Sequence, residues 1–164
     1  MKRLALVFAL VLVLAISAGA QDLGNFAAEV PDGWTANPMP TLSTIIFVKN
    51  DNNAMASITV DDAGESTAKQ IADYLTSVYK QQGYIDMTTP EEDENGNYIV
   101  NMKNQHKLPS RALFSVKGGK ACVILLVGIE SGKEGFTKIL DSFALIEKKN
   151  LLETFKISDN LISK

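Results

Sequence analysis

The run Lys120-Ala-Cys-Val-Ile-Leu-Leu-Val-Gly-Ile129 constrains the fold more than any other part of the chain. It is the most apolar stretch outside the N-terminus. From Ala121 to Gly128 it holds no charged residue to place on a wet face, and it is too short to span a bilayer. A strand of this kind belongs in the middle of a sheet covered on both faces. Gly118-Gly119, just before it, is a two-residue hairpin signal, so an antiparallel neighbour over Arg111 to Lys117 is expected. Ser131-Gly132-Lys133-Glu134, just after it, has the spacing of a capping box and predicts a helix beginning there.

Hydrophobic periodicity sorts the remaining segments. Phe26, Ala28 and Val30 alternate and run into Pro31-Asp32-Gly33-Trp34, a tight turn that presents a tryptophan to close one end of the core. Ala36 to Thr41 contains Pro38 and Pro40 and is expected to be irregular. Thr44 to Lys49 and Ala54 to Val60 form a hairpin across Asn50 to Asn53, with Ala54, Ala56, Ile58 and Val60 on one face. Thr67 with Gln70 makes a capping box, and Ala68, Ile71, Ala72, Leu75, Val78 and Tyr79 keep helical spacing up to a C-terminal Gly83. Ile85 and Met87 predict a short strand stopping at Pro90, Glu91 to Asn97 an acidic turn, and Tyr98, Val100 and Met102 another strand. Ala112, Phe114 and Val116 mark the inward row of the strand Arg111 to Lys117, and Phe136, Ile139, Leu140 and Phe143 the apolar face of a second helix. The result is an α+β chain: a mostly antiparallel sheet of about six to seven strands with helices packed on it, one inserted after the third strand and one after the last.

The first twenty residues combine a basic start at Lys2-Arg3, an apolar run from Leu4 to Ile16 and small residues at Ala18-Gly19-Ala20, the three parts of a secretory signal peptide. The expected division is therefore 1–20 signal peptide, 21–147 sandwich domain and 148–164 amphipathic tail. An exported product follows, periplasmic or secreted, with no stable membrane insertion after cleavage. Loss of Lys2 and Arg3 takes the formal charge from −3 to about −5, which argues against nucleic acid or an anionic membrane surface as partner. Cys122 is the only cysteine, so no internal disulfide forms and stability has to come from packing. On the central strand it shares a face with Ile124 and Leu126 and is read as a small hydrophobe.

Residues that carry chemistry are sparse. His106 is the only imidazole, sits in the polar connection Asn104 to Lys107, and has no Gly-x-Ser-x-Gly elbow to serve, because Gly128-Ile129-Glu130-Ser131-Gly132 has its serine one place late. One histidine and one core cysteine do not make a zinc site. The Gly119-Lys120 pair lacks the earlier glycine and the following hydroxyl of a phosphate loop. Glu91, Asp93 and Asn95 before Gly96 echo a calcium loop, but the twelfth position is Met102, so an ordinary acidic hairpin is preferred. No catalytic, cofactor-binding or metal residue is assigned. In the tail, Asn150 with Glu153 caps a short helix that puts Leu151, Leu152 and Phe155 on one side. That side either folds back over its own sheet or docks a partner, and these three are the candidate partner-binding residues.

The strand Phe26 to Val30 with its Pro31-Asp32-Gly33-Trp34 turn resembles the opening of the PsbP-like α/β/α sandwich proteins. So do the helix from Thr67, the long apolar last strand and the closing Ile139-Leu140-Asp141-Ser142-Phe143. The resemblance covers roughly Asp22 to Glu147. Family members include a photosystem accessory protein of the thylakoid lumen, a nuclear Ran-binding factor and bacterial envelope proteins. What it implies is a non-enzymatic binding or accessory module acting on an envelope protein through protein–protein contacts, with no catalytic motif to carry over. The alternative is a small-ligand carrier or weak calcium-responsive module with a pocket between sheet and helix.

Overall fold

The computed structural model describes residues 21–22, 26–145 and 161–162. The first twenty residues and Leu151, Leu152 and Phe155, on which the export and partner-binding expectations rest, lie outside the described residues.

The apolar run forms β9 (Lys120–Val127), the fourth of seven antiparallel strands ordered β3-β4-β5-β9-β8-β7-β6. Its neighbours are β5 (Met55–Asp62) and β8 (Pro109–Lys117), each paired with it along eight residues. The Gly118-Gly119 turn joins β8 to β9 with both glycines at positive φ, +57° and +78°, the backbone that a two-residue hairpin turn demands. Beyond β5 lie β4 (Thr44–Lys49) and the edge strand β3 (Trp34–Met39), and beyond β8 lie β7 (Tyr98–Lys103) and the short β6 (Glu91–Glu92).

Because side chains alternate along a strand, β9 feeds two cores at once. Cys122, Ile124 and Leu126 join Ile45, Phe47 and Ile58 under helix α2 (Ile129–Ser142) and a small three-stranded sheet. That sheet has β2 (Phe26–Ala28) between β1 (Gln21–Asp22) and β10 (Ala144–Leu145). Phe26 and Phe143 meet edge to face there, with ring centroids 5.4 Å apart. On the opposite face Val123, Leu125 and Val127 join Val100, Ala112 and Phe114 under helix α1 (Ala68–Gln81), which contributes Ala72, Leu75 and Tyr79. The expected α+β sandwich is present. Burial makes Cys122 inert, holding its thiol well above the usual range.

Helix α1 opens on the expected capping box: Thr67 Oγ1 accepts from the Gln70 amide at 3.2 Å, and Gln70 Oε1 accepts from the Thr67 amide at 2.9 Å. Helix α2 departs from expectation. It starts at Ile129, two residues before Ser131, with Gly128 as N-cap at φ +72° and no side-chain cap. A β-carbon on Gly128 would collide with the Asn53 carbonyl, so close approach to the β4–β5 turn decides the residue there. Gly132 and Gly135 then let the helix lie close on the sheet, against Ala54 and the ring of Trp34. Trp34 is buried and stacks edge-on to Phe136, closing one end of this core as read from the sequence.

Four other expectations are corrected. Ala36 to Thr41 is irregular only from Pro40 on. Residues up to Met39 form β3, which tolerates Pro38 because it is an edge strand. Ile85 and Met87 make no strand; a single bridge ties Ile85 to Lys103. Glu91 and Glu92 are extended as β6, which shortens the acidic turn to its last residues. In β8 the row Arg111, Leu113, Ser115 is buried as well as the row of Ala112 and Phe114, since the sheet is covered on both sides, while Val116 is only half-buried.

Substituting Gly135→Ala forces the Trp34 ring to shift and is expected to cost about 1 to 3 kcal/mol. Urea unfolding followed by the fluorescence of Trp34, the sole tryptophan, measures both the loss and the displaced ring. A second outcome concerns alkali. The rings of Tyr79 and Tyr84 lie 5.4 Å apart, and burial pushes the Tyr84 phenol up to about 12 and that of Tyr79 also upward. An unfolded chain ionises both near pH 10, so the unfolded state loses protons first. Stability is complete below that pH and falls as pH rises from about 10 towards 12, by roughly 1.4 kcal/mol per unit for each tyrosine. Circular dichroism in urea across this range measures the loss, which Tyr84→Phe should reduce.

Candidate functional site

Where β7 runs out, β8 begins and α2 begins, the described residues enclose an open cleft of about 360 Å³. Local geometry builds its walls. Past Lys103 the chain turns on Asn104, whose Oδ1 accepts from the amides of His106 at 3.0 Å and Leu108 at 2.9 Å. The chain re-enters the sheet at Pro109, whose carbonyl accepts from the Gly128 amide at 2.9 Å and so pins the start of β8 to the start of α2. Ile129, Glu130 and Lys133, from the first turns of α2, stand on one side of the opening, and Lys103 and Asp86 on the other. Asp86 adopts φ +52°, a left-handed conformation that aspartate tolerates, and its carboxylate meets Lys103 Nζ at 2.8 Å. That contact holds the Asp86 carboxyl below its usual range.

Arg111 lines the inner part of the cleft. It is 7% exposed and faces the α2 side of the sheet beside Asn101, its register partner on β7. Its Nε–H donates to Asn101 Oδ1 at 2.7 Å. Its Nη1–H donates to the Leu161 carbonyl, also at 2.7 Å. Asn101 is itself held, its backbone exchanging hydrogen bonds with Thr88 at 2.9 and 3.1 Å. Burial lowers the Arg111 pKa, yet a guanidinium keeps its charge at any physiological pH. The side chain is therefore a fixed, buried cation with both of these acceptors neutral oxygens.

Leu161 is fully buried in the core under α2, and Ile162 packs against that core and lines the cleft. Leu161 and Ile162 thus lie over the β7–β8 half of the sheet.

The features singled out in the sequence lie elsewhere. His106 is exposed in the loop after β7. In the acidic turn Asp93 spends its carboxylate on its own loop, accepting from the amides of Asn95 and Asn97 at 2.9 Å and from Asn97 Nδ2 at 3.0 Å. Glu92 accepts from the Tyr98 hydroxyl at 2.9 Å, so the echoed calcium positions do not converge. No group of three or more His, Cys, Asp or Glu residues among the described residues is placed to hold a metal. Arg111 and its neighbours were missed as a site. The one available signal was a lone arginine in the row of Leu113 and Ser115, on a strand paired with a doubly buried one.

No protein-family model matches the chain, and no curated protein matches it in sequence. Among solved structures it is similar to the cyanobacterial PsbP protein CyanoP from Synechocystis, at 13% identity and TM-score 0.49, over 82% of this chain and 95% of that one. The fold resembles PsbP. It is also similar to LpqN of Mycobacterium tuberculosis, a protein involved in cell envelope biogenesis, at 10% identity and TM-score 0.45, over 79% and 90% of the two chains. A Bacteroides thetaiotaomicron protein matches at 11% identity and TM-score 0.43 over 84% of this chain, which spans about half of that neighbour's length (52%). The likeness is one of fold, and at that level it meets the resemblance read from the sequence.

Leu161→Ala removes a fully buried side chain and is expected to cost about 2 to 4 kcal/mol. Urea denaturation is the check; a change below about 0.5 kcal/mol, the level of an ordinary surface substitution, would remove Leu161 from the core.

Proposed function

We propose that this protein is an exported, non-enzymatic accessory protein of the cell envelope that works by binding a protein partner at the cleft edge. The observation that carries the reading is the surface beside the opening. Ile85, one of two large hydrophobic residues exposed among the described residues, is 44% accessible, pairs with Lys103 and precedes Asp86. An exposed apolar side chain set against a charged, partly buried cleft combines the anchor and the polar contacts that protein interfaces use. The signal-peptide pattern at residues 1–20 supports the compartment, and the PsbP-like resemblance supports an accessory role. Among the described residues no helix is long and apolar enough to cross a membrane.

A second reading, a small-ligand carrier, is favoured by the cleft itself, which lies between the sheet and α2 and falls within the size range of ligand pockets. On that reading the ligand sits in the cleft and not at the acidic turn, whose Asp93 is already engaged.

Site-specific photo-crosslinking in the source cells separates the two. A photoreactive residue replacing Ile85 is expected to give one discrete protein adduct, while the same residue replacing Tyr74, exposed on α1, gives none. Recovery of uncrosslinked monomer from both positions would overturn the partner reading.

A further inference from the structure

We propose that Asn95 is a site of spontaneous covalent modification, losing its side-chain amide to become isoaspartate or aspartate, and that Lys117 promotes the step. The site is separate from the cleft and does not depend on the binding reading.

The sequence supplies the reacting pair. Asn95-Gly96 is the one Asn-Gly pair in the chain. The peptide nitrogen that follows an asparagine can attack the side-chain amide carbon and close a five-membered ring, and a following glycine hinders that approach least. The turn keeps the approach open. Gly96 adopts φ +76°, and apart from its chain neighbours a β-carbon there would meet nothing nearer than Lys117 Nζ, at 3.8 Å. Asn95 and Gly96 are both half-buried, so solvent reaches them.

The fold supplies the activating group. Lys117 Nζ, at the end of β8, donates to the Asn95 carbonyl oxygen at 2.8 Å. That oxygen belongs to the same peptide unit as the Gly96 nitrogen, and amide resonance carries onto it the negative charge that appears when the nitrogen gives up its proton. An ammonium in contact with it therefore stabilises the nucleophilic form. The nearby carboxylates are engaged elsewhere: Asp93 accepts from the amides of Asn95 and Asn97, and Glu92 accepts from the Tyr98 hydroxyl. One contact acts as a brake. The Gly96 amide donates to the Asp93 carbonyl at 3.1 Å, and this bond has to open before attack.

In the reaction the Gly96 nitrogen loses its proton to water and bonds to Asn95 Cγ, the Cγ–Nδ2 bond breaks, and the leaving nitrogen takes a proton from water to depart as ammonia. A second water then opens the cyclic imide at either carbonyl. The sum is one water consumed and one ammonia released. Isoaspartate adds a methylene to the main chain between Asp93 and Asn97, whose 2.8 Å amide-to-carbonyl bond closes the turn, so the two-residue strand β6 loses its hold on β7.

The test incubates the purified chain at neutral pH, digests it in acid and maps it by mass spectrometry with electron-transfer fragmentation, which separates isoaspartate from aspartate. Asn95 is expected to gain isoaspartate ahead of Asn52, an exposed turn residue followed by Asn53, and of the buried Asn97 in the same loop. Asn95→Gln, which cannot close the five-membered ring, should abolish the change. Lys117→Met should slow it about tenfold, less than a donor in a closed active site is worth because this turn is wet, and Lys117→Arg should restore much of the rate. A Lys117 that only braces the turn predicts the opposite sign, since loosening the turn would speed the reaction. Amide exchange at Asp93 is expected to quicken as isoaspartate accumulates. Conversion at Asn95 no faster than at Asn52, or an equal or faster rate in Lys117→Met, overturns the proposal, and unchanged protection at Asp93 overturns the release of β6. Should Lys117→Met fail to fold, the wild-type time course and Asn95→Gln still decide the modification, and Lys117→Arg reacting as fast as wild type supports the role of the cation while a faster reaction overturns it.

Discussion

Everything in this structure depends on one strand being dry on both sides. β9 has no residue that tolerates water between Ala121 and Val127, so the chain has to supply a layer above it and a layer below it. α1 forms one layer, and α2 with the three-stranded sheet forms the other. The strands beside β9 inherit the condition. Arg111 and Ser115 are buried on β8, and Thr44 and Ser57 are buried on β4 and β5, because the layers that shield β9 extend over its neighbours. Thr44 responds by pairing locally, its hydroxyl meeting that of Thr59 at 2.8 Å.

The cleft arises at the limit of that shielding. α2 covers the β3-β4-β5 side and the centre of its face, and at its first turn it meets the end of β8 through the Gly128 to Pro109 hydrogen bond. Beyond that junction the α2-side face of β7 and β8 is finished by Leu161 and Ile162. An arginine suits this boundary. Its stem lies in the core, and its planar head bridges a β7 side chain and the carbonyl of a residue 50 positions later.

Local rules made much of the fold readable. The Gly118-Gly119 turn, the Thr67 capping box and the alternation of Ala54, Ala56, Ile58 and Val60 each depend on residues within a few positions of one another, and each appears as expected. Errors came where a distant contact overrode a local preference. Pro38 reads as a strand breaker until β3 is known to be an edge, and Ser131 reads as the start of α2 until Gly128 is seen against the Asn53 carbonyl with the helix beginning at Ile129. The site was the least legible part. Asn101, Arg111, Lys133 and Leu161 come from two strands, a helix and the chain end, and no spacing rule links them. The acidic turn, read as an ordinary hairpin in spite of its calcium-loop echo, has Asp93 occupied by its own loop.

The strand order has a consequence for the order of assembly. β9 sits fourth in the sheet but is the last of its seven strands to be synthesised. Before residue 120 emerges, the chain holds two separate half-sheets, β3-β4-β5 and β8-β7-β6, whose inner edges, β5 and β8, have nothing to pair with. Neither half buries its second face without the strand that joins them. The protein is thus held in an unfinished, pliable condition for most of its synthesis and closes late, when a single segment slots between two waiting edges. The delay is written into the topology itself.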